Sequence, residues 1–113
     1  MTEDALSPGD IVWIDFSPTS GTEQSGRRPV IVLSNAAYNA ASGRALLAPI
    51  TSRVRHWPFE VALPPSLAVA GVIVIDQVRM VDWRAREAKR AGAVPGAVLD
   101  EALAKLAALI ERP

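Results

Sequence analysis

The sequence predicts a mainly β domain with one C-terminal helix. Three observations carry that expectation. Short apolar runs rich in Val, Ile and Trp recur from Ile11 to Trp83, and branched and aromatic residues favour strands. Glycine and proline separate the runs at short intervals. The final segment then changes to a helical period. Many short strands followed by one helix point to a small antiparallel barrel or coiled sheet, closed on one side by the helix.

The elements follow in order. Gly9-Asp10 reads as a turn into a strand in which Ile11, Trp13 and Asp15 alternate with Val12, Ile14 and Phe16. Residues 17–28 are polar and glycine-bearing, a loop near the upper length for compact domains, and such loops are commonly functional. Pro29-Val30-Ile31-Val32-Leu33-Ser34 reads as a buried strand with its proline tolerated at the first position. Residues 35–43 are small and polar and predict a turn or short helix. Residues 44–50 form a further strand, which gives way to the polar Thr51-Ser52-Arg53-Val54-Arg55-His56. Residues 57–63 alternate again as a strand until Pro64-Pro65 stops them. Gly71-Val72-Ile73-Val74-Ile75 is continuously apolar, hence a central strand, ending in Asp76-Gln77, and residues 78–83 continue extended. Residues 84–92 are charged and fit neither period. In the tail, Leu99, Leu103, Leu106 and Ile110 fall on one helical face, a core-packing stripe. The alanines between them favour helix, and Pro95 sits where a first-turn proline is tolerated.

The chain's 113 residues fit one domain spanning 1–113. A domain this small buries only about two-thirds of its unfolded surface, so dimerisation is an accessible way to gain burial. There is no cysteine, which excludes disulfides and thiolate chemistry. The single histidine, His56, excludes a zinc site of the usual Cys/His kind. No apolar run approaches the roughly 20 residues of a membrane span. The first residues, Met1-Thr2-Glu3-Asp4, lack a charged-then-apolar leader pattern. The expectation is a cytoplasmic protein without membrane attachment.

Net charge is zero, yet its distribution is uneven. Residues 1–25 carry five acids and no base, whereas residues 26–90 carry ten bases against four acids, a net of +6. A basic middle can bind a polyanion even in a neutral chain. Ten of the twelve bases are arginine, the residue suited to bidentate phosphate contacts and to stacking on bases.

Several motifs in order carry a family resemblance. Gly9-Asp10-Ile11-Val12-Trp13-Ile14-Asp15-Phe16, followed by Gly21-Thr22-Glu23-Gln24-Ser25-Gly26-Arg27-Arg28-Pro29-Val30, resembles the opening of MazF/PemK toxins. Pro49-Ile50-Thr51-Ser52, followed by Trp57-Pro58-Phe59-Glu60-Val61, is similar to a second motif of that family. Asp76-Gln77-Val78-Arg79 and Trp83-Arg84-Ala85-Arg86 are similar to a third. The resemblance runs from about residue 8 to residue 111. It implies an SH3-like small barrel of the MazF/PemK/CcdB type, assembled as a homodimer. It implies metal-independent cleavage of single-stranded RNA at a short sequence. It also implies a cognate antitoxin, MazE-like, whose disordered and often acidic tail lies over the RNA groove.

RNA carries its own nucleophile, the 2′-hydroxyl beside each phosphate. An enzyme that uses it must hold the phosphate in line, accept the 2′ proton, stabilise the oxyanion and protonate the leaving 5′ oxygen. The products are a 2′,3′-cyclic phosphate and a 5′-hydroxyl, and DNA is spared. The resemblance places the reacting centre at Arg28 and Thr51. Arg28, fixed in part by the following Pro29, can grip two phosphate oxygens and stabilise transition-state charge. A guanidinium resists giving up its proton. The Thr51 hydroxyl can donate to a non-bridging oxygen, with Ser52 beside it.

Further RNA-binding candidates are Glu23 and Gln24 in the long loop, Arg27, Arg53, Arg55, Asp76, Gln77 and Arg79. Glu23 is the carboxylate near the first motif that could act as a general base. Some PemK-like members pair a catalytic Asp at the position of Asp76 with an arginine two residues earlier; this chain has Val74 there. That departure shifts the burden to Arg28 and leaves Asp76 and Gln77 a base-reading or structural role. Arg27 stands where some relatives carry a histidine. His56 reads as a solvated loop residue, and Trp57, flanked by Pro58 and Phe59, as core rather than as a stacking platform.

Two alternatives belong to other classes. A gyrase poison of the CcdB type shares the fold, but it lacks the Arg-Pro and Thr-Ser motifs and needs a tryptophan near the C-terminus, where this chain has Ile110-Glu111-Arg112-Pro113. A non-catalytic SH3-like module would bind RNA or peptide without changing it.

Overall fold

The computed structural model describes residues 5–16 and 26–112. Seven strands and two helices follow in the order β1 (Asp10–Asp15), β2 (Arg27–Val32), α1 (Ala36–Ser42), β3 (Arg44–Thr51), β4 (Glu60–Ala62), β5 (Val72–Val74), β6 (Arg79–Asp82), β7 (Lys89–Ala93) and α2 (Gly96–Ile110). A short 3₁₀ turn, Ile75–Gln77, separates β5 from β6.

All pairings are antiparallel, and the strands run β4-β5-β3-β2-β1-β7, with β6 added to β3. The long β3 is the hinge of the arrangement. Its first half pairs with β6 from Arg44 to Leu47, and its end pairs with β5 at Ile50 and Thr51. Within the described residues β4 and β7 do not pair with each other, so the sheet is not closed. The expected β fold with a C-terminal helix is present, as a coiled open sheet rather than a closed barrel. A register shift between Ile11 and Val12 bends β1 against β7, as bulges do.

The continuous apolar runs have a physical cause: the central strands are buried on both faces. Ile11, Ile31, Ala48, Ile50, Val61, Ile73 and Ile75 face a core that α2 covers. Val12, Ile14, Val30, Val32, Leu47 and Val81 face a second core capped by Trp83 and Leu6.

The helical stripe differs from the expected one. Val98, Leu99, Ala102 and Leu106 meet the first core, while Leu103 and Leu109 are exposed and Ile110 is 75% exposed. Ala102 is fully buried because its small side chain lets the helix approach the sheet closely, which rotates the stripe away from Leu103. Residues 35–43 are a helix. The Asn35 side chain accepts the Tyr38 N–H at 2.8 Å, and Gly43 closes the C-terminus in the left-handed region at φ 73°. Residues 57–59 are not strand: a turn precedes β4, and β4 itself is only three residues long. The strand expected to end in Asp76-Gln77 does so by a 3₁₀ turn that also takes in Ile75. Within the described residues no helix is long and apolar enough to cross a membrane.

Candidate active site

A groove of about 840 Å³ opens where β2, the end of β3, the segment after it and the 3₁₀ turn converge. Its floor is apolar: Val30, Leu47, Pro49, Ile50 and Val74. Its rim is basic. Arg28, Arg53, Arg55 and Arg79 line it, against the carboxylates of Glu60 and Asp76. Among the described residues none of these four arginines is in an ion pair, so their charge is available to an anionic ligand.

Arg28 and Thr51 line this one groove. The β2–β3 ladder accounts for it. Val30 pairs with Pro49, and carrying that register two residues further sets Arg28 across from Thr51. Arg28 is exposed and Thr51 half-buried. The Thr51 Oγ1 accepts the Arg53 N–H at 3.1 Å. Its hydroxyl proton therefore remains to be donated elsewhere.

Gly71 sets the position of the Thr51 backbone. Gly71 has φ +127°, and a Cβ built there would lie 2.1 Å from the Thr51 carbonyl oxygen. Only a residue without a side chain permits that approach. Thr51 then pairs with Val72 in the β3–β5 ladder.

The opposite wall is the irregular segment 53–57. It has no ladder of its own, and Glu60 takes the place of one. The buried Glu60 carboxylate accepts the backbone N–H of Arg55 at 3.1 Å and of His56 at 3.1 Å, with a longer bond of 3.5 Å from Trp57. This wrap bends the chain tightly enough that His56 adopts φ 58°, an uncommon conformation for a residue with a side chain. From behind, Lys105 on α2 donates to the Glu60 carbonyl at 2.9 Å.

Trp57 is 46% exposed, which corrects the expectation that it is core. Pro58 and Phe59 turn the chain there and leave the indole at the groove edge. Its Nε1–H donates to the Asp76 carboxylate at 3.2 Å, and its ring lies tilted against Phe59 at 5.9 Å. At the other end of the groove, Phe16 packs under the Arg79 guanidinium at 4.8 Å and near that of Arg86 at 5.9 Å. Such cation–π contacts fix the planes of both groups.

The groove thus assembles Arg28, Thr51, Arg53, Arg55, Asp76, Gln77 and Arg79, and His56 lines it too. Arg27 and Ser52 are exposed but do not line it. In the β1–β2 ladder Arg27 sits opposite Asp15 and Arg28 opposite Ile14, so successive residues point to opposite faces. Glu23 and Gln24 lie outside the described residues. Sequence reasoning missed Glu60 and Gly71. A glutamate between Phe59 and Val61 was the available signal for the first, because a charge inside an apolar run needs partners. A glycine opening an apolar run was the signal for the second. Among the described residues no group of three or more His, Cys, Asp or Glu is placed to hold a metal ion.

Residues 7–110 match the model of the family described as PemK-like, MazF-like toxin of type II toxin-antitoxin system. The chain belongs to this family. Among its family relatives, the endoribonuclease toxin MazF of Escherichia coli (strain K12) is 43% identical over 102 residues, covering 90% of this chain and 91% of that one. The endoribonuclease toxin ChpB of the same strain is 45% identical over 108 residues, covering 91% and 92%. The fold agrees as well. The crystal structure of MazF from Deinococcus radiodurans superimposes with a TM-score of 0.84 at 44% identity, covering 96% of this chain and 98% of that one. A MazE–MazF crystal structure from the same organism gives 0.85 at 40% identity, with the same coverage.

Proposed function

We propose that this chain is an endoribonuclease toxin that cuts single-stranded RNA by attack of the ribose 2′-hydroxyl on the adjacent phosphorus. The observation that carries the reading is that Arg28 and Thr51 line one arginine-rimmed groove. The family and the named activity of its MazF and ChpB relatives support it.

In this reading the arginine rim draws in the RNA backbone, and the Arg28 fork grips the non-bridging oxygens of the scissile phosphate. The 2′ oxygen gives its proton to solvent water and bonds to phosphorus as the bond from phosphorus to the 5′ oxygen breaks, and the 5′ oxygen takes a proton from solvent. Thr51 donates its hydroxyl proton to a non-bridging oxygen as charge builds there. Preorganised donors of this kind act on the transition state more than on the bound substrate. Arg53, Arg55 and Arg79 hold flanking phosphates. Glu60, buried and engaged by backbone N–H groups, is not placed to take the 2′ proton. The chemistry needs no metal, since the substrate supplies the nucleophile.

The same basic rim suits an acidic antitoxin tail, and relatives are crystallised as MazE–MazF complexes. The exposed apolar Leu103, Leu109 and Ile110 of α2 offer surface for a homodimer. The site of action is the cytoplasm, where messenger RNA is translated.

The test is incubation of the purified chain with a long RNA in excess EDTA. The expected products carry 2′,3′-cyclic phosphate and 5′-hydroxyl ends, and DNA of the same sequence stays intact. Absence of cyclic-phosphate ends on every RNA tried would sink the reading.

A further inference from the structure

We infer that Trp57 and Asp76 form a nucleobase subsite that admits bases with an exocyclic amino group and rejects uracil. The inference rests on the endoribonuclease reading and deepens it by naming the substrate's base chemistry.

Three features build the subsite. Trp57 presents a half-exposed indole at the groove edge, which supplies a stacking face. Unpaired RNA bases are held on such faces and read on their pairing edges. The face is fixed rather than mobile: Glu60 holds the backbone of the segment, Phe59 packs against the ring, and Asp76 accepts the indole N–H at 3.2 Å. That last bond also fixes Asp76, an exposed groove residue, at the edge of the indole over which the base would lie.

The base selection follows from the chemistry of a carboxylate. An ionised carboxylate only accepts hydrogen bonds, through about four lone-pair directions. The Trp57 indole occupies one, and the others meet the base edge. Guanine offers N1–H beside its 2-amino group, and adenine and cytosine each offer an amino group. Carboxylates are known acceptors for the cytosine amino group. Uracil presents one N–H between two carbonyl oxygens, and both carbonyls would face the carboxylate with lone pairs opposed. The same group that attracts the other three bases therefore repels uracil, which is how specificity is best achieved.

Cleavage of a randomised RNA pool, followed by sequencing of the cut ends, tests this. The wild-type chain is expected to show one position near the cut where uracil is depleted about 5- to 150-fold, the span of one good base contact. Asp76→Asn keeps an oxygen for the Trp57 indole but adds an amide donor, which matches uracil. It should erase or invert the depletion at that position alone. Trp57→Leu should slow cutting of all sequences, because stacking is indifferent to base identity. The unaltered chain supplies a check that no folding defect can cloud. Purine riboside in place of adenosine, or inosine in place of guanosine, at the selected position should lower the rate by about 5-fold or more. Uracil tolerated at every position, or a depletion that survives Asp76→Asn together with indifference to the analogues, overturns the subsite and leaves the nuclease standing. A pool left wholly uncut overturns the nuclease and the subsite with it.

Discussion

The two walls of the groove are held by different means. On one side, Arg28 and Thr51 ride on β2 and β3, and the ladder between those strands sets their separation. On the other, residues 53–57 carry Arg53, Arg55, His56 and Trp57 without any strand pairing; one buried carboxylate gathers the backbone of Arg55, His56 and Trp57, while the Arg53 N–H is held by Thr51. The ladder wall is redundant, since many bonds and two cores support it. The carboxylate wall is not. The first wall is therefore suited to hold a reacting phosphate rigidly. The second positions several ligand-facing side chains through a single residue, and one substitution can move them all.

The largest expected effect is on the ladder wall, without change to its scaffold. Arg28→Ala should lower the cleavage rate about 100- to 1000-fold, the usual loss for one preorganised donor. Arg28 is exposed, so the melting temperature should stay within about 3 °C, because surface changes shift stability by about 0.5 kcal/mol or less. Single-turnover kinetics and a thermal melt check both halves. A large drop in melting temperature would place Arg28 in the scaffold instead.

Next comes the joint between the walls. Gly71→Ala places a methyl against the Thr51 carbonyl at 2.1 Å, backbone against backbone, where no side chain can swing away. Overpacking of this kind costs about 1–3 kcal/mol, and φ +127° adds strain. The expected outcome is a melting temperature lower by about 5–20 °C together with a fall in kcat, as Thr51 is pushed from its place. A variant that melts earlier but retains full kcat would show that Thr51 does not depend on this contact.

The same contrast explains what could be read in advance. Strands β1, β2, β3 and β5 were legible because burial on both faces leaves continuous apolar runs around Val12, Ile31, Leu47 and Ile73. Arg28 and Thr51 were legible as motifs, and the register of the β2–β3 ladder, carried two residues past Val30 and Pro49, explains why residues 23 positions apart line one groove. The carboxylate wall was not legible. Residues 53–57 have no period, and the partner of their N–H groups lies across a turn. Trp57 was misread because Pro58 and Phe59 suggested a core strand, whereas they turn the chain and leave the indole half-exposed. The helix was legible but its stripe was not: counting leucines favours Leu103 and Ile110, while packing selects Ala102 for its small size.

On the carboxylate wall, Glu60→Gln should cost about 1–3 kcal/mol, since the amide keeps one acceptor but turns an N–H₂ toward donors that Glu60 satisfied. The kinetic signature distinguishes positioning from simple loss of fold. Loosening Arg55 and its neighbours weakens phosphate contacts made equally in the bound and transition states, so KM should rise several-fold with a smaller change in kcat. The salt dependence of binding should flatten as those contacts are lost. An effect confined to kcat would contradict this division of labour between the walls.

The smallest effect is expected behind that wall. Lys105 donates to the Glu60 carbonyl at 2.9 Å and pairs with Glu101 at 3.0 Å along α2. Lys105→Met keeps the half-buried stem and removes both interactions. The ion pair with the exposed Glu101 contributes little, as (i, i+4) pairs do, so the loss should be about 0.5–1.5 kcal/mol, chiefly the hydrogen bond. If α2 braces the carboxylate wall and not the ladder wall, Lys105→Met should raise KM slightly and leave kcat unmoved. Lys105 bonds the Glu60 main-chain carbonyl, which Glu60→Gln retains, so their coupling in a double-mutant cycle reports how far the side-chain wrap depends on the brace. Strict additivity of the two would mean that Glu60 holds the segment without help from the helix.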